Sequence, residues 1–329
     1  MLENDTILTV ENLTKTFKVK SSRLFEKPAI LNAVNDVSFE VKRGETIGVI
    51  GESGCGKSTL GKSILRLIEP TSGDVRYNGK SLIGLGKSEM DKLRREINIV
   101  FQDPYSSLDP RMTTGDLIEE PMIIHNIGTP KDRKDRVQEL LKLVGLDYYH
   151  AVRYPHEFSG GQRQRINIAR ALAMDVKLLV CDEPVSALDV SVQAQVLNLL
   201  KELKDSRGLT YIFISHDLSV VKYISDRIII MYLGKIMEIG AADEIYKNPM
   251  HPYTRALFSA IPPVSPFEQK ETIQLIGEIP SPLNLPPGCP FGNRCPYCME
   301  ECRVVMPELK DMGNEHKVAC GRYQKGEIK

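Results

Sequence analysis

Along the chain, short uninterrupted apolar runs alternate with segments whose apolar residues recur at helical spacing. The runs predict strands at Leu8–Val10, Val34–Val41, Glu45–Ile50, Ile97–Phe101, Lys177–Cys181, Thr210–Ile214 and Arg227–Met231. Lys177–Cys181 is too short and too apolar to be an amphipathic helix. Helices are predicted at Ser58–Leu67, which stops before Pro70, at 162–174, rich in Ala and Arg, and at Ser191–Asp205. In the last, Val192, Val196, Leu199, Leu200 and Leu203 share one side, and Gly208 supplies a C-terminal cap. Asp74–Lys80 reads as a strand ending in an Asn78-Gly79 hairpin turn. Between 111 and 157, Leu117, Met122, Ile123, Val137, Leu140, Leu141 and Leu143 fall at helical spacing among charges, which predicts an all-helical insertion over about 105–160.

Strands alternating with helices imply an α/β fold with a largely parallel sheet covered on both faces. After Gly240 the texture changes. Half of the 20 prolines lie between Pro249 and Pro290, so that stretch is expected to hold no regular helix or sheet. It reads as an extended connector to a small cysteine-bearing module. The expected division is therefore 1–240 and 241–329.

Composition adds exclusions. Lys+Arg and Asp+Glu are both 43, so no global field draws the chain to nucleic acid or to an anionic membrane. No apolar run approaches the roughly 18 residues needed to span a bilayer. The start, Met1-Leu2-Glu3-Asn4-Asp5, lacks the basic and apolar regions of a signal peptide, and the chain is expected to stay in the cytoplasm. Of seven cysteines, Cys289, Cys295, Cys298, Cys302 and Cys320 crowd near the C-terminus. In a cytosolic chain this favours a metal site over disulfides. The gaps of five, two, three and seventeen residues suggest four ligands with one cysteine spare, zinc ahead of an iron–sulfur cluster on spacing alone.

The strongest chemical signal is Gly51-Glu52-Ser53-Gly54-Cys55-Gly56-Lys57-Ser58, or G-x-x-x-x-G-K-S, set between a predicted strand and a predicted helix. The glycines let backbone N–H groups turn toward phosphates. Lys57 adds a point charge for the β- and γ-phosphates, and the Ser58 hydroxyl suits Mg²⁺. Asp182-Glu183 end the buried strand 177–181. Adjacent carboxylates there are costly unless they serve a cation or a proton transfer. Ser159-Gly160-Gly161-Gln162 opens a helix with a good N-cap and forms a second anion-binding helix end. Alone it would be an ordinary glycine-rich cap. Gln102 and His216 each end a strand, and singly they say little.

Together these segments, from about residue 6 to 245, resemble the ATP-binding cassette family of transport ATPases. Gly51–Ser58 matches its Walker A loop, Leu178–Asp182 its Walker B strand, and Ser159–Gln162 its signature, here preceded by Phe158 where Leu is commonest. Gln102 matches the Q-loop, Ser186-Ala187-Leu188-Asp189 the D-loop and His216 the switch histidine. Phe17 falls where an aromatic stacks on adenine, though Tyr is commoner there. The resemblance implies a RecA-like phosphate-loop ATPase core with an antiparallel β subdomain and a helical signature subdomain. It implies nucleotide contacts from Gly51 through Thr59, Mg²⁺ at Ser58 and Gln102 with Asp182 acting through water, and catalysis by Glu183 with His216. It also implies that the signature of one subunit caps ATP held by another.

His251-Pro252-Tyr253-Thr254, Gly288-Cys289-Pro290-Phe291 and Arg294-Cys295-Pro296 resemble the C-terminal extension of ATP-binding subunits from oligopeptide and dipeptide importers. That resemblance implies a [4Fe–4S] cluster on Cys289, Cys295, Cys302 and Cys320, with Zn²⁺ as the alternative and Cys298 unassigned. It implies peptide import from the cytoplasmic face of the membrane, with two permease subunits, a second ATPase subunit and an external peptide-binding protein. A related load such as nickel is an alternative. A cassette ATPase of DNA maintenance fits less well, since long coiled coils and basic surfaces are missing. A regulatory subunit that binds ATP without turnover is disfavoured by Glu183 and His216.

Overall fold

The computed structural model describes residues 5–19, 29–261, 273–275, 277–283, 285 and 287–328. In chain order its first half holds β1 (Thr6–Val19), β2 (Ala29–Lys42), β3 (Thr46–Ile50), α1 (Lys57–Ile64), β4 (Ser72–Tyr77), β5 (Lys80–Ser81), α2 (Lys87–Leu93), β6 (Ile97–Val100), α3 (Thr114–Ile124) and α4 (Pro130–Leu143). There follow α5 (Gly160–Ala171), β7 (Leu178–Asp182), α6 (Val190–Arg207), β8 (Thr210–Ile214), α7 (Leu218–Ile224), β9 (Arg227–Tyr232), β10 (Lys235–Ala241), α8 (Ala242–Lys247) and α9 (Pro252–Ser259). The C-terminal module adds α10 (Glu300–Val304), β11 (Lys310–Asp311), β12 (Lys317–Val318) and α11 (Gly321–Gln324). The chain divides into two compact units, one of residues 1–41, 46–83 and 215–329, the other of 42–45 and 84–214.

The first unit contains an antiparallel sheet ordered β2-β1-β4-β5. Leu8 faces Tyr77 and Val10 faces Val75 across the β1–β4 ladder, and a bulge follows at Glu11–Thr14. The predicted hairpin turn is present, with Asn78 and Gly79 at φ 49° and 76°. That double positive φ is what a two-residue type I′ turn requires. In the same unit β3 pairs in parallel with β9, with Gly48 opposite Ile228, and β9 continues antiparallel into β10. Every residue of β3 is buried. Gly48 is there for space, since a Cβ would lie 2.3 Å from Cγ1 of Val221 on α7.

The second unit carries β8, β7 and β6 in parallel, with Leu178 opposite both Thr210 and Ile97. All five residues of β7 and of β8 are buried, as their continuous apolar character predicts for a covered parallel sheet. The helical insertion is present as α3, α4 and two short 3₁₀ turns. Thr113 and Thr129 start the two helices with reciprocal capping boxes. Leu117, Met122, Val137, Leu140 and Leu141 are buried as expected, but Ile123 is 51 % exposed. Gly208 ends α6 in the left-handed conformation, φ 63°.

One expectation fails. The proline-rich stretch after 249 holds a regular helix, α9. Pro252 occupies its first turn, where an absent N–H costs nothing, and the His251 side chain caps it by accepting from the Tyr253 N–H at 3.1 Å. Residues 262–272 of the expected connector lie outside the described residues. Nor does the cysteine-bearing module stand apart: β12 adds antiparallel to β10, with Glu238 opposite Val318.

A buried carboxylate fastens that junction. Glu238 is fully buried on β10 and accepts from the Met250 N–H at 2.8 Å and the His251 N–H at 2.9 Å. His316 Nε2 lies 2.7 Å from its Oε1. One side chain thus satisfies the entry to α9 and holds the terminal module. Glu238→Leu should lower the unfolding free energy by about 2–4 kcal/mol, because it orphans buried donors worth about 1–3 kcal/mol each. The check is the urea midpoint at unchanged slope, and a midpoint equal to wild type would remove Glu238 from this role.

Candidate nucleotide-binding site

In the first unit, the loop 51–56 joins buried β3 to α1 and is held by backbone on two sides. A Cβ at Gly51 would sit 2.2 Å from the Met231 carbonyl oxygen, and one at Gly56 would sit 1.9 Å from that of Ala33. Gly56 also takes φ 105°, closed to other residues, as the N-cap of α1. It offers no side-chain cap to the helix start. Lys57 is buried, its ammonium donating to the carbonyl oxygens of Gly51 at 2.7 Å and Glu52 at 3.1 Å. Those bonds aim the cation along the loop. Ser53 and Gly54 are exposed, Ser58 and Thr59 half-buried in the first turn of α1. The Cys55 thiol is buried, and burial pushes its pKa up, which leaves it unreactive. Phe17 is half-buried at the end of β1, with the Lys15 ammonium 4.9 Å from its ring centre. His216 lies exposed just before α7, whose N-cap Asp217 accepts from the Ser219 and Val220 N–H groups.

In the second unit, parallel pairing of β6 with β7 sets Val100 opposite Cys181. The same offset beyond each strand reaches Gln102 and Glu183. Gln102 Nε2 donates to Glu183 Oε2 at 2.8 Å. The structure thus joins two residues that are 81 positions apart. Asp182 is buried at the end of β7. Glu183 takes φ 48°, a left-handed conformation that a non-glycine residue holds at a cost of about 1–3 kcal/mol. Its carbonyl is bound by Ser186 Oγ at 3.1 Å, so the turn into Ser186–Asp189 supports the strained residue. Cys181 is wholly buried, and desolvation drives its pKa up strongly.

Ser159 N-caps α5 as predicted, its Oγ accepting from the Gln162 N–H at 3.3 Å while Gln162 Oε1 accepts from the Ser159 N–H at 3.0 Å. Gly160 is half-buried and Ser159 exposed. Gly161 has a packing reason that sequence reasoning missed: a Cβ would fall 2.2 Å from Cγ1 of Val192 on α6. Behind the signature, Arg163 is buried, donates to the Pro155 carbonyl at 2.6 Å and lies 3.9 Å over the Tyr105 ring. Two partners of the phosphate loop were also missed. Arg294 forms an ion pair with Glu52 at 2.7 Å, and Tyr253 accepts from the Glu52 N–H at 3.0 Å. Both stand in the motifs that resemble the importer extension, but nothing there tied them to the loop.

The expected metal centre, on Cys289, Cys295, Cys302 and Cys320, is not supported among the described residues. Cys289, Cys295, Cys298, Cys302 and Cys320 line one cavity. Among the described residues, however, no three His, Cys, Asp or Glu side chains converge to hold a single metal ion. Burial pushes the Cys289 thiol up to about 12 and Cys295 to about 11, with neighbouring cysteines adding to the rise. The Cys298 thiol points to the Met299 carbonyl at 3.5 Å.

Comparison with known proteins agrees with this geometry. The ABC transporter family pattern matches residues 34–186, and the oligopeptide/dipeptide transporter C-terminal region matches 237–302. The chain is 50 % identical to the oligopeptide transport ATP-binding protein AppF of Bacillus subtilis, over 97 % of this chain and 98 % of that one. It is 48 % identical to the di/tripeptide transport ATP-binding protein DppF of Pseudomonas aeruginosa, over 96 % and 97 %. Among solved structures it is similar to the ATP-binding cassette MJ0796, a dimer in a post-hydrolysis state bound to ADP and Pi, with a TM-score of 0.64 and 33 % identity over 71 % of this chain and 98 % of that one. No helix among the described residues is long and apolar enough to cross a membrane. The chain belongs to the family of ABC transporter ATP-binding proteins, ATP hydrolases that work with Mg²⁺, in the branch that carries the oligopeptide/dipeptide C-terminal region.

Proposed function

We propose that the chain is the ATP-hydrolysing subunit of a peptide importer, bound peripherally at the cytoplasmic face to two permease subunits. A second ATPase subunit pairs with it, and an external binding protein delivers the peptide. Residues 1–240 form the nucleotide-binding domain, with its helical subdomain at about 105–160, and 241–329 the importer extension. Full-length similarity to peptide transport ATP-binding proteins supports the load. One observation carries the hydrolytic reading: the strained Glu183, with its carboxylate tied to Gln102.

Loop N–H groups from Gly51 to Thr59 and the Lys57 ammonium bind the β- and γ-phosphates, and Phe17 stacks on the base. Ser58 and Gln102, with Asp182 acting through water, would supply oxygens to Mg²⁺, which when bound neutralises charge developing on the phosphates. Glu183 orients the attacking water and takes its proton. His216 donates to the γ-phosphate. The helix start Ser159–Gln162 of one subunit caps the γ-phosphate held by the other, which excludes water and strengthens each charged contact. When the γ-phosphoryl bond breaks, that bridge is lost and the pair opens. The differential affinity of ATP for closed and open pairs thus powers transport.

The cysteine module suits a [4Fe–4S] cluster on Cys289, Cys295, Cys302 and Cys320. Zn²⁺ on the same thiolates is the alternative. Either group would displace the thiol protons and would staple a module with little core of its own.

Glu183→Gln should retain ATP binding, trap an ATP-bound dimer visible by gel filtration, and lose turnover by at least about 10²-fold. Near-normal hydrolysis would remove Glu183 from its assigned role. Protein purified without oxygen should be brown and carry about four iron atoms per chain. Stoichiometric zinc without iron would overturn the cluster.

A further inference from the structure

The C-terminal extension touches the phosphate loop itself. Arg294 Nη1 lies 2.7 Å from Glu52 Oε2, and Nη2 lies 3.1 Å from Oε1. The same Nη1 reaches the Tyr232 hydroxyl at 3.3 Å. The pair is shielded, with the Arg294 side chain 8 % exposed and Glu52 20 %. From α9 the Tyr253 hydroxyl accepts from the Glu52 N–H at 3.0 Å. Side chain and backbone of Glu52 are therefore both held by residues beyond position 250.

Glu52 is well placed to transmit that hold. Its carbonyl oxygen accepts from Lys57 Nζ at 3.1 Å and from the Cys55 N–H at 3.2 Å. A rotation of Glu52 would turn the carbonyl that aims the phosphate-binding lysine. The loop has room for such a movement. A cavity of about 280 Å³ is bounded by Glu52–Cys55, by Tyr232 and Leu233, and by Ile279–Pro282 of the extension. A two-point Arg–carboxylate pair fixes orientation as well as distance, and its low exposure spares it solvent screening.

We propose that Arg294 is a positioning residue for ATP: acting through Glu52, it fixes the phosphate loop, so that nucleotide affinity depends on the folded C-terminal extension. The inference rests on the reading of 51–58 as the phosphate loop. Arg294 touches no reacting atom, so its loss acts on binding rather than on chemistry.

The test is titration of the full-length protein with a fluorescent ATP analogue, together with steady-state ATP hydrolysis and a melting curve for each variant. Arg294→Gln should weaken Kd and raise KM about tenfold, with kcat within about twofold of wild type. Arg294→Lys keeps the charge without the fork and should fall between. Tyr253→Phe, which removes one hydroxyl, should weaken Kd about threefold. In a Glu52→Gln background, Arg294→Gln should add less than about twofold, because both act through one contact. Wild-type Kd in a folded Arg294→Gln protein, or full additivity with Glu52→Gln, would overturn the proposal. If Arg294→Gln does not fold, wild-type affinity in Tyr253→Phe would overturn it instead. Lys57→Ala separates the premise: wild-type nucleotide affinity there would sink the phosphate-loop reading rather than the role of Arg294.

Discussion

A loop proposed to bind phosphates through its backbone can spend few of its own N–H groups on holding its shape. Everything around residues 51–58 answers that constraint. The carbonyl oxygens of Met231 and Ala33 press against Gly51 and Gly56 so closely that no side chain fits at either position. The Gly234 N–H donates to the Cys55 carbonyl at 2.8 Å, and the Lys57 ammonium ties the loop back upon itself. The clamp therefore comes from β2, from buried β9 and from the turn after β9. The loop borrows much of its order from neighbours.

The carboxyl end of β7 shows the same economy in another form. Glu183 is forced to φ 48° where β7 stops, and the following turn bonds its carbonyl. Strain at one residue re-aims its carboxylate away from the strand direction and toward Gln102. Parallel register does the rest, since aligned ends of β6 and β7 carry both side chains to one edge. Catalytic groups at the carboxyl ends of parallel strands need no long loops to meet.

Much of this was legible in the sequence because the signals were local. Lys177–Cys181 could only be a buried strand, Asn78-Gly79 could only be a tight turn, and G-x-x-x-x-G-K-S specified both a backbone path and a charge. What stayed hidden depended on contacts far apart along the chain. Glu238 carried no signal in the sequence, and only the fold brings Met250, His251 and His316 to it. The bond between Gln102 and Glu183 was invisible for the same reason. The α9 helix was missed because proline content was weighed without position: Pro252 falls at the one place where a helix accepts it. The five cysteines suggested a metal by their spacing, yet among the described residues the fold brings them to one cavity without three of them converging on a single ion.

The terminal module has little apolar core, so its position depends on specific ties. Phe291 packs edge-on to Tyr232 with ring centres 5.5 Å apart and lies 5.3 Å from Tyr253. His316 reaches Glu238, and Arg294 reaches Glu52. Two of these three contacts end on residues that also serve β10 or the phosphate loop. A module anchored in this way cannot be ordered independently of what it grips. Coupling between two sites is reciprocal in free energy. Whatever affinity nucleotide gains from a loop fixed by Arg294, the module gains in order when nucleotide binds. A nucleotide that fills the loop and the ties that hold the module would therefore stabilise the same arrangement from opposite ends.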